Sequence, residues 1–453
     1  MKQKNTLDII LLSVGDAMYP QDALAERVDR VWSSVEAMQE NIVAKWVLMD
    51  EADAFRAEKV LMDKKADLII VNFVSWHITP FVMHVLRHFR NTPLLVWGNG
   101  GTRDASGKIV SPAAAAGVTG IVPLLRQLGF RYKVILERTD EALRLHEVKA
   151  YMQIVKAKKH VQNAKIGLFG YADQALFSCA YDKTLVFDHF GIDIEDYFSY
   201  ELADMMAACP QERVDAVKRE IRCDLCCENE IREETLERAA RLYCAMKDKS
   251  EDRELDAISI KCITGVTKYM GINPCLAQSL LANKDLSVIC ECDAYGLLTN
   301  VILSALTGQT STFMENYEVF EDAVLVGVCG FIPADFVEGA VRVRACNLGQ
   351  TIQGISNVSK LKSGPVTFAR LYVEDGKFRM FLSKGQADPS PKWTEIGWAE
   401  PTPNFPSFLL KLEIPVQTYL ENVPGQHIIM VYGDWVEQMR ELCSLLDIPV
   451  DHY

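Results

Sequence analysis

The first third of the chain alternates short apolar runs with amphipathic stretches. Leu7–Val14 is an apolar run that ends at Gly15, and helical spacing of apolar positions follows from about Asp22 to Asn41. Next come a predicted strand at Ala44–Met49, a charged helix at about Glu51–Lys64 and a strand at Ala66–Phe73. A helix follows Pro80, then a strand at Pro93–Trp97 and the loop Gly98–Gly101. Unbroken apolar strands separated by helices of about a dozen residues predict βαβ units around a buried parallel sheet. A second such region begins at Lys165, where a strand to Phe169 runs into the turn Gly170-Tyr-Ala-Asp173. Gln211–Lys249 is strongly charged, with Leu236, Ala240, Tyr243 and Met246 on one face, which predicts a solvated helical pair. Strands are predicted again at Ala257–Ile260 and Leu286–Cys290, and a helix at Leu297–Leu306.

The period changes after about residue 306. Val341, Val343 and Ala345 alternate with Arg342 and Arg344. Val366–Val373 and Lys377–Leu382 flank Glu374-Asp-Gly376, a hairpin signal. A last helix is predicted from about Asp434 to Leu446. The expected fold is therefore α/β: two doubly wound parallel-sheet domains, 1–162 and 163–305, followed by a C-terminal antiparallel β-barrel-like domain, 306–453.

Composition narrows the function classes. Of 453 residues, 49% are apolar and 24% charged, with a formal net charge of −13, which suits a globular chain and opposes a phosphate-backbone binder. No nucleic-acid or membrane partner is expected. The N-terminal apolar run is too short for a signal peptide and contains Asp8, so a cytoplasmic chain with reduced thiols is expected, despite 13 Cys.

Candidate chemistry concentrates in Cys290-Glu-Cys-Asp-Ala-Tyr-Gly-Leu-Leu-Thr299 and Thr312-Phe-Met-Glu-Asn-Tyr317. Glu291 sits where a buried strand gives way to a helix, the edge at which ligands gather in α/β sheets. Glu315 follows an apolar pair, and His427 follows Pro424-Gly-Gln426 at the start of the apolar run Ile428–Val431. Singly, each Glu reads equally as a helix cap or an arginine partner, and the His as a structural residue. Together they would form a mixed oxygen and nitrogen site for Mn²⁺, Mg²⁺ or Co²⁺. The sequence contains no GxGxxG or Walker pattern, so no dinucleotide or nucleotide site is expected. Cys223-Asp-Leu-Cys226-Cys227 is a lone CxxCC on a predicted helix without the second pair that structural zinc needs. His84 and His88 share a helical face without HExxH spacing. Arg342 and Arg344 are expected to point out of a half-buried strand, where an anionic substrate could use one of them.

These segments resemble the L-fucose/L-arabinose isomerase superfamily. Glu291 to Glu315 is similar to the fucose isomerase stretch that supplies two metal-binding carboxylates, with the same spacing. Phe313-Met-Glu-Asn-Tyr317 resembles the arabinose isomerase stretch around its second metal Glu, and Pro424-Gly-Gln-His427 the approach to the last metal His. The resemblance implies a metal-dependent aldose–ketose isomerase working through a cis-enediol(ate) on a deoxy sugar, a pentose or a modified, anionic sugar. It implies Glu291, Glu315 and His427 as ligands of Mn²⁺, with Mg²⁺ or Co²⁺ as alternatives, and both Glu residues as acid/base groups. It further implies a homo-oligomer, hexamer or trimer, with Trp76 and His77 of the first domain able to touch the sugar. Cys329 stands where arabinose isomerases carry an additional metal His, which makes it a further substrate-site candidate. The alternatives are a non-catalytic sugar-binding homologue, or an epimerase or aldolase on the same scaffold.

Overall fold

The computed structural model describes residues 6–347, 353–391 and 405–453. The chain divides into two compact units, Met1–Lys159 and His160–Tyr453.

The first unit runs β1 (Asp8–Val14), α1 (Gln21–Glu36), β2 (Asn41–Leu48), α2 (Glu51–Leu61), β3 (Leu68–Phe73), α3 (Thr79–Leu86) and β4 (Leu94–Gly98). A two-stranded ribbon, β5 (Thr102–Arg103) and β6 (Ile109–Val110), precedes α4 (Ala114–Gln127), β7 (Tyr132–Leu136) and α5 (Leu145–Gln162). Five strands form one parallel sheet in the order β2-β1-β3-β4-β7, a doubly wound arrangement. Burial on both faces explains why β3, apart from Asn72, and β4 are apolar. β2 starts three residues before its predicted edge because Asn41 pairs with Asp8 across the ladder.

The second unit opens with β8 (Ile166–Phe169), α6 (Lys183–Phe190), β9 (Ile194–Tyr197), α7 (Ser199–Ala208), α8 (Gln211–Asp224), β10 (Cys226–Cys227) and α9 (Glu233–Asp252). Then follow β11 (Ala257–Ile260), α10 (Thr267–Met270), α11 (Cys275–Leu281), β12 (Ser287–Cys290) and α12 (Ala294–Thr307). β12-β11-β8-β9 form a parallel four-stranded sheet. The CxxCC expectation is corrected: only Cys223 is helical. Leu225 turns to extended backbone, and Cys226–Cys227 add to the strand β15 (Arg342–Asn347). All three thiols are exposed.

The remainder is β13 (Thr312–Val319), β14 (Ala323–Gly327), β15, β16 (Gln353–Asn357), β17 (Gly364–Glu374), β18 (Lys377–Pro389), β19 (Ser407–Leu412), α13 (Val416–Asn422), β20 (His427–Tyr432), α14 (Val436–Leu445) and β21 (Val450–His452). The order β17-β20-β13-β14-β19-β18, with β18 pairing back onto β17, closes a six-stranded antiparallel barrel. The β17–β18 hairpin turns through Asp375 (φ 50°) and Gly376 (φ 72°), both left-handed as a two-residue turn of this kind requires. α12 packs on β12 and also on β17 and β20. Covered from both sides, it is buried almost all round, which explains its mostly apolar sequence, with Thr299, Asn300 and Ser304 buried and hydrogen-bonded.

Candidate active site

Three connections bring the site together. β12 ends at Cys290, and the chain turns sharply through Glu291 (φ 66°) and Cys292 (φ 50°) before α12 begins. Two consecutive non-glycine residues in the left-handed region are strained and need support. Glu291 N–H donates to the Ile260 carbonyl (2.9 Å), and the Glu291 carbonyl accepts from Asp173 N–H (3.3 Å). The turn thus points the Glu291 side chain off the carboxyl edge of the sheet. In the barrel, β13 and β20 run antiparallel, and their register sets Glu315 directly opposite His427.

One ligand atom each from Glu291, Glu315 and His427 lies within 4.8 Å of the other two. His427 Nε2 is 3.2 Å from Glu291 Oε2 and 3.9 Å from Glu315 Oε1. The shorter approach is close but not aligned as a hydrogen bond, so His427 Nε2 and Glu291 Oε2 are buried polar atoms without a hydrogen-bond partner among the described residues. Burying such atoms unsatisfied is costly. Two carboxylates and an imidazole facing one point, with two buried polar atoms unanswered, fit a hard or borderline divalent cation.

The imidazole is held from behind. His427 Nδ1 lies 2.8 Å from Asp293 Oδ2, and Asp293 is fully buried. Asp293 also caps α12 through Gly296 N–H (3.0 Å) and forms a two-pronged ion pair with Arg370, one arm at 2.9 Å. Arg370 continues to the Ser178 carbonyl (2.8 Å). A Cβ at Gly296 would lie 2.5 Å from Arg370 Nη1, so glycine is what admits the guanidinium. This carboxylate–histidine arrangement fixes the ring orientation and leaves Nε2 toward Glu291 and Glu315.

Electrostatics follow the geometry. Burial favours the neutral His427 ring, but Asp293, Cys179 and Glu291 outweigh it and hold the imidazole well above its ordinary value. Burial opposes ionisation of Asp293 too, yet Arg370 and His427 keep its carboxyl low. Glu315 is pushed up, first by burial and then by the Glu291 charge, with His427 opposing. Burial also drives the Tyr317 phenol up, helped by Glu315. A second cluster, Cys179, Asp293 and His427, has similar spacing. Both Asp293 oxygens are already engaged there, and burial raises the Cys179 thiol, so that cluster is a poorer cation site.

Trp76 and His77 belong to the first unit, at the carboxyl edge of its sheet just after β3. His77 is buried, 4.7 Å from the Phe73 ring between centroids, and Trp76 is half exposed. Cys329 follows β14, its thiol in contact with Cys275 and near Tyr317. His84 and His88 face Glu58 on an exposed surface. Sequence reasoning missed Asp293, Arg370 and the buried ion pair Lys261–Asp173 at the carboxyl ends of β11 and β8. Each left a signal: a carboxylate one residue before an apolar helix, an arginine inside an apolar strand, and a lysine closing an apolar one.

Residues 341–453 match the family described as L-fucose isomerase, C-terminal domain. The chain is 21% identical over 414 residues to a protein named sulfoquinovose isomerase from Alkalicoccus urumqiensis, covering 88% of each chain. It is 22% identical over 441 residues to the protein of that name from Priestia megaterium, covering 93% of this chain and 92% of that one. A third, from Clostridium sp. (strain MSTE9), is 20% identical over 404 residues, 85% of this chain and 86% of that one. The chain is an isomerase, and its residues 341–453 are similar to the L-fucose isomerase C-terminal domain. The similarity to the relatives runs through the α/β part as well as the barrel.

Proposed function

We propose that this isomerase is a metal-dependent aldose–ketose isomerase acting on sulfoquinovose or a closely related sulfonated aldose through a cis-enediol(ate). The observation that carries the chemistry is the convergence of Glu291, Glu315 and His427 around two unanswered buried polar atoms. The relatives' shared name carries the substrate class.

In this reading Glu291, Glu315 and His427 hold Mn²⁺, with Mg²⁺ or Co²⁺ as substitutes. The bound ion supplies Lewis-acid polarisation of adjacent sugar oxygens. The two carboxylates move the protons. One takes the proton from C2 as O1 gains one, giving the enediol(ate); a proton then returns at C1 as O2 loses its own. Atoms and charge balance without a redox partner. Asp293 keeps His427 Nδ1 engaged, so the ring neither rotates nor joins the transfer.

The functional organisation we propose keeps three parts, 1–162, 163–305 and 306–453, with Glu291 from the second and Glu315 and His427 from the third. Trp76, His77 and Cys329 are proposed sugar contacts. A cytoplasmic homo-oligomer, trimer or hexamer, completes the proposal. The test is isomerisation of sulfoquinovose in deuterated water with added Mn²⁺. We expect ketose formation with deuterium at the transferred carbon, abolished by EDTA and restored by Mn²⁺. Turnover that survives exhaustive chelation contradicts the metal role, and a change in carbon count points to aldol chemistry.

A further inference from the structure

The two arginines of β15 share one face of the strand but differ in their partners. Arg342 is exposed and pairs with Glu228, Nε to Oε1 at 2.8 Å. Arg344, two positions on, is half-buried and has no carboxylate at ion-pair distance among the described residues. A partly buried cation without a counter-ion is costly to keep. The surrounding surface makes the position more specific. Arg344 lies directly opposite Ser356 in the β15–β16 register, so their side chains are neighbours on one face. Ser356 is fully buried, accepts from Cys346 Sγ (2.9 Å), and abuts Gly330, where an added Cβ would lie 2.6 Å from the Ser356 Cβ. Gly330 ends the short segment that leaves β14 at Gly327, and Gly327 stands opposite Glu315. The Arg344 face is therefore joined to Glu315 through two strand pairs, the Ser356–Gly330 contact and the three-residue turn that ends at Gly330.

We propose that Arg344 is the specificity residue that receives the sulfonate at the far end of the sugar. The inference rests on the isomerase reading above. A guanidinium presents two parallel N–H donors that match two oxygens of a sulfonate, and needs no proton exchange to remain charged. In a chain of net charge −13, an anionic substrate needs such a local cation. Arg342, already neutralised by Glu228, is the internal control.

The experiment measures binding by calorimetry and turnover on sulfoquinovose and on 6-deoxyglucose, its neutral counterpart, for wild type, R344M, R344K and R342M. We expect R344M to lose roughly 10- to 150-fold in affinity and kcat/KM for the sulfonated sugar. The neutral sugar should be unaffected, R344K should recover part of the loss, and R342M should behave as wild type. An unchanged thermal transition in R344M separates recognition from folding. Wild-type behaviour of R344M on the sulfonated sugar overturns the role of Arg344 while leaving the isomerase intact. Equal losses on both sugars overturn it as well, since the residue would then be structural. If wild type isomerises only neutral sugars, the sulfonate role fails alone; if it neither binds nor isomerises any aldose, both readings fail.

Discussion

Each unit carries a parallel sheet with a crevice where the strand order reverses, and each crevice has a buried histidine nearby. In the first unit the reversal lies between β1 and β3. There Asp16 N–H donates to Ser75 Oγ (3.0 Å), and His77 is buried with no hydrogen-bond partner at either ring nitrogen among the described residues. Burial lowers its pKa to about 4, against a small opposing pull from Asp16. In the second unit the reversal lies between β8 and β11, and charge fills it: Lys261 with Asp173, then Glu291. The barrel adds His427, anchored by Asp293 and raised rather than lowered. Both imidazoles are equally hidden from water. The carboxylates around them set their opposite charge preferences, and among the described residues the second crevice gathers the groups of a cation site.

The largest effects that sharpen this contrast are catalytic. E291Q or E315Q should reduce turnover by roughly 10²- to 10⁴-fold, with the thermal transition nearly unmoved. Near-normal steady-state rates in either variant remove that residue from proton transfer. Next comes D293N, which loosens the back of His427. Mn²⁺ affinity by calorimetry should fall about 10- to 100-fold. Unfolding free energy should also drop by about 3–5 kcal/mol, because Arg370 would be left buried without its counter-ion. H77Q should leave Mn²⁺ affinity alone; equal losses in D293N and H77Q would erase the distinction between the two crevices.

A pH series breaks the comparison in the other direction. Unfolded, His77 binds a proton below about 6.5; folded, only below about 4. The unfolded chain therefore holds the extra proton in between, and stability falls as pH drops through that window, by about 3 kcal/mol at most. H77F should flatten this slope in denaturant titrations from pH 7 to 4.5; parallel curves for wild type and H77F would contradict it. Asp293 acts in a lower range. Its depressed carboxyl contributes stability above the ordinary Asp value, lost as pH falls below about 4. The smallest expected change is a several-fold rise in KM for W76A, with kcat kept, if the half-exposed Trp76 ring touches the sugar.

Much of this was legible in the chain because local pattern and burial agree there. The strands β3, β4, β8 and β11 are mostly apolar because both their faces are covered, and the Asp375-Gly376 turn carries its geometry in its residue types. The break at Leu225 was not legible, because β10 exists only through pairing with β15, more than a hundred residues away. The same holds at the site. Glu291 and Glu315 stand out as acidic residues in apolar settings, but the Glu315–His427 pairing depends on strand register, and the Asp293–Arg370 brace on contacts 77 positions apart. Such long-range pairing leaves no periodic trace.

The most direct measurement is anomalous diffraction at the manganese edge from a crystal equilibrated with Mn²⁺. A single strong peak coordinated by Glu291, Glu315 and His427 Nε2, with positions left open for substrate, is the predicted result. No peak among those three side chains, or a peak at Cys179 and Asp293 instead, would contradict the account.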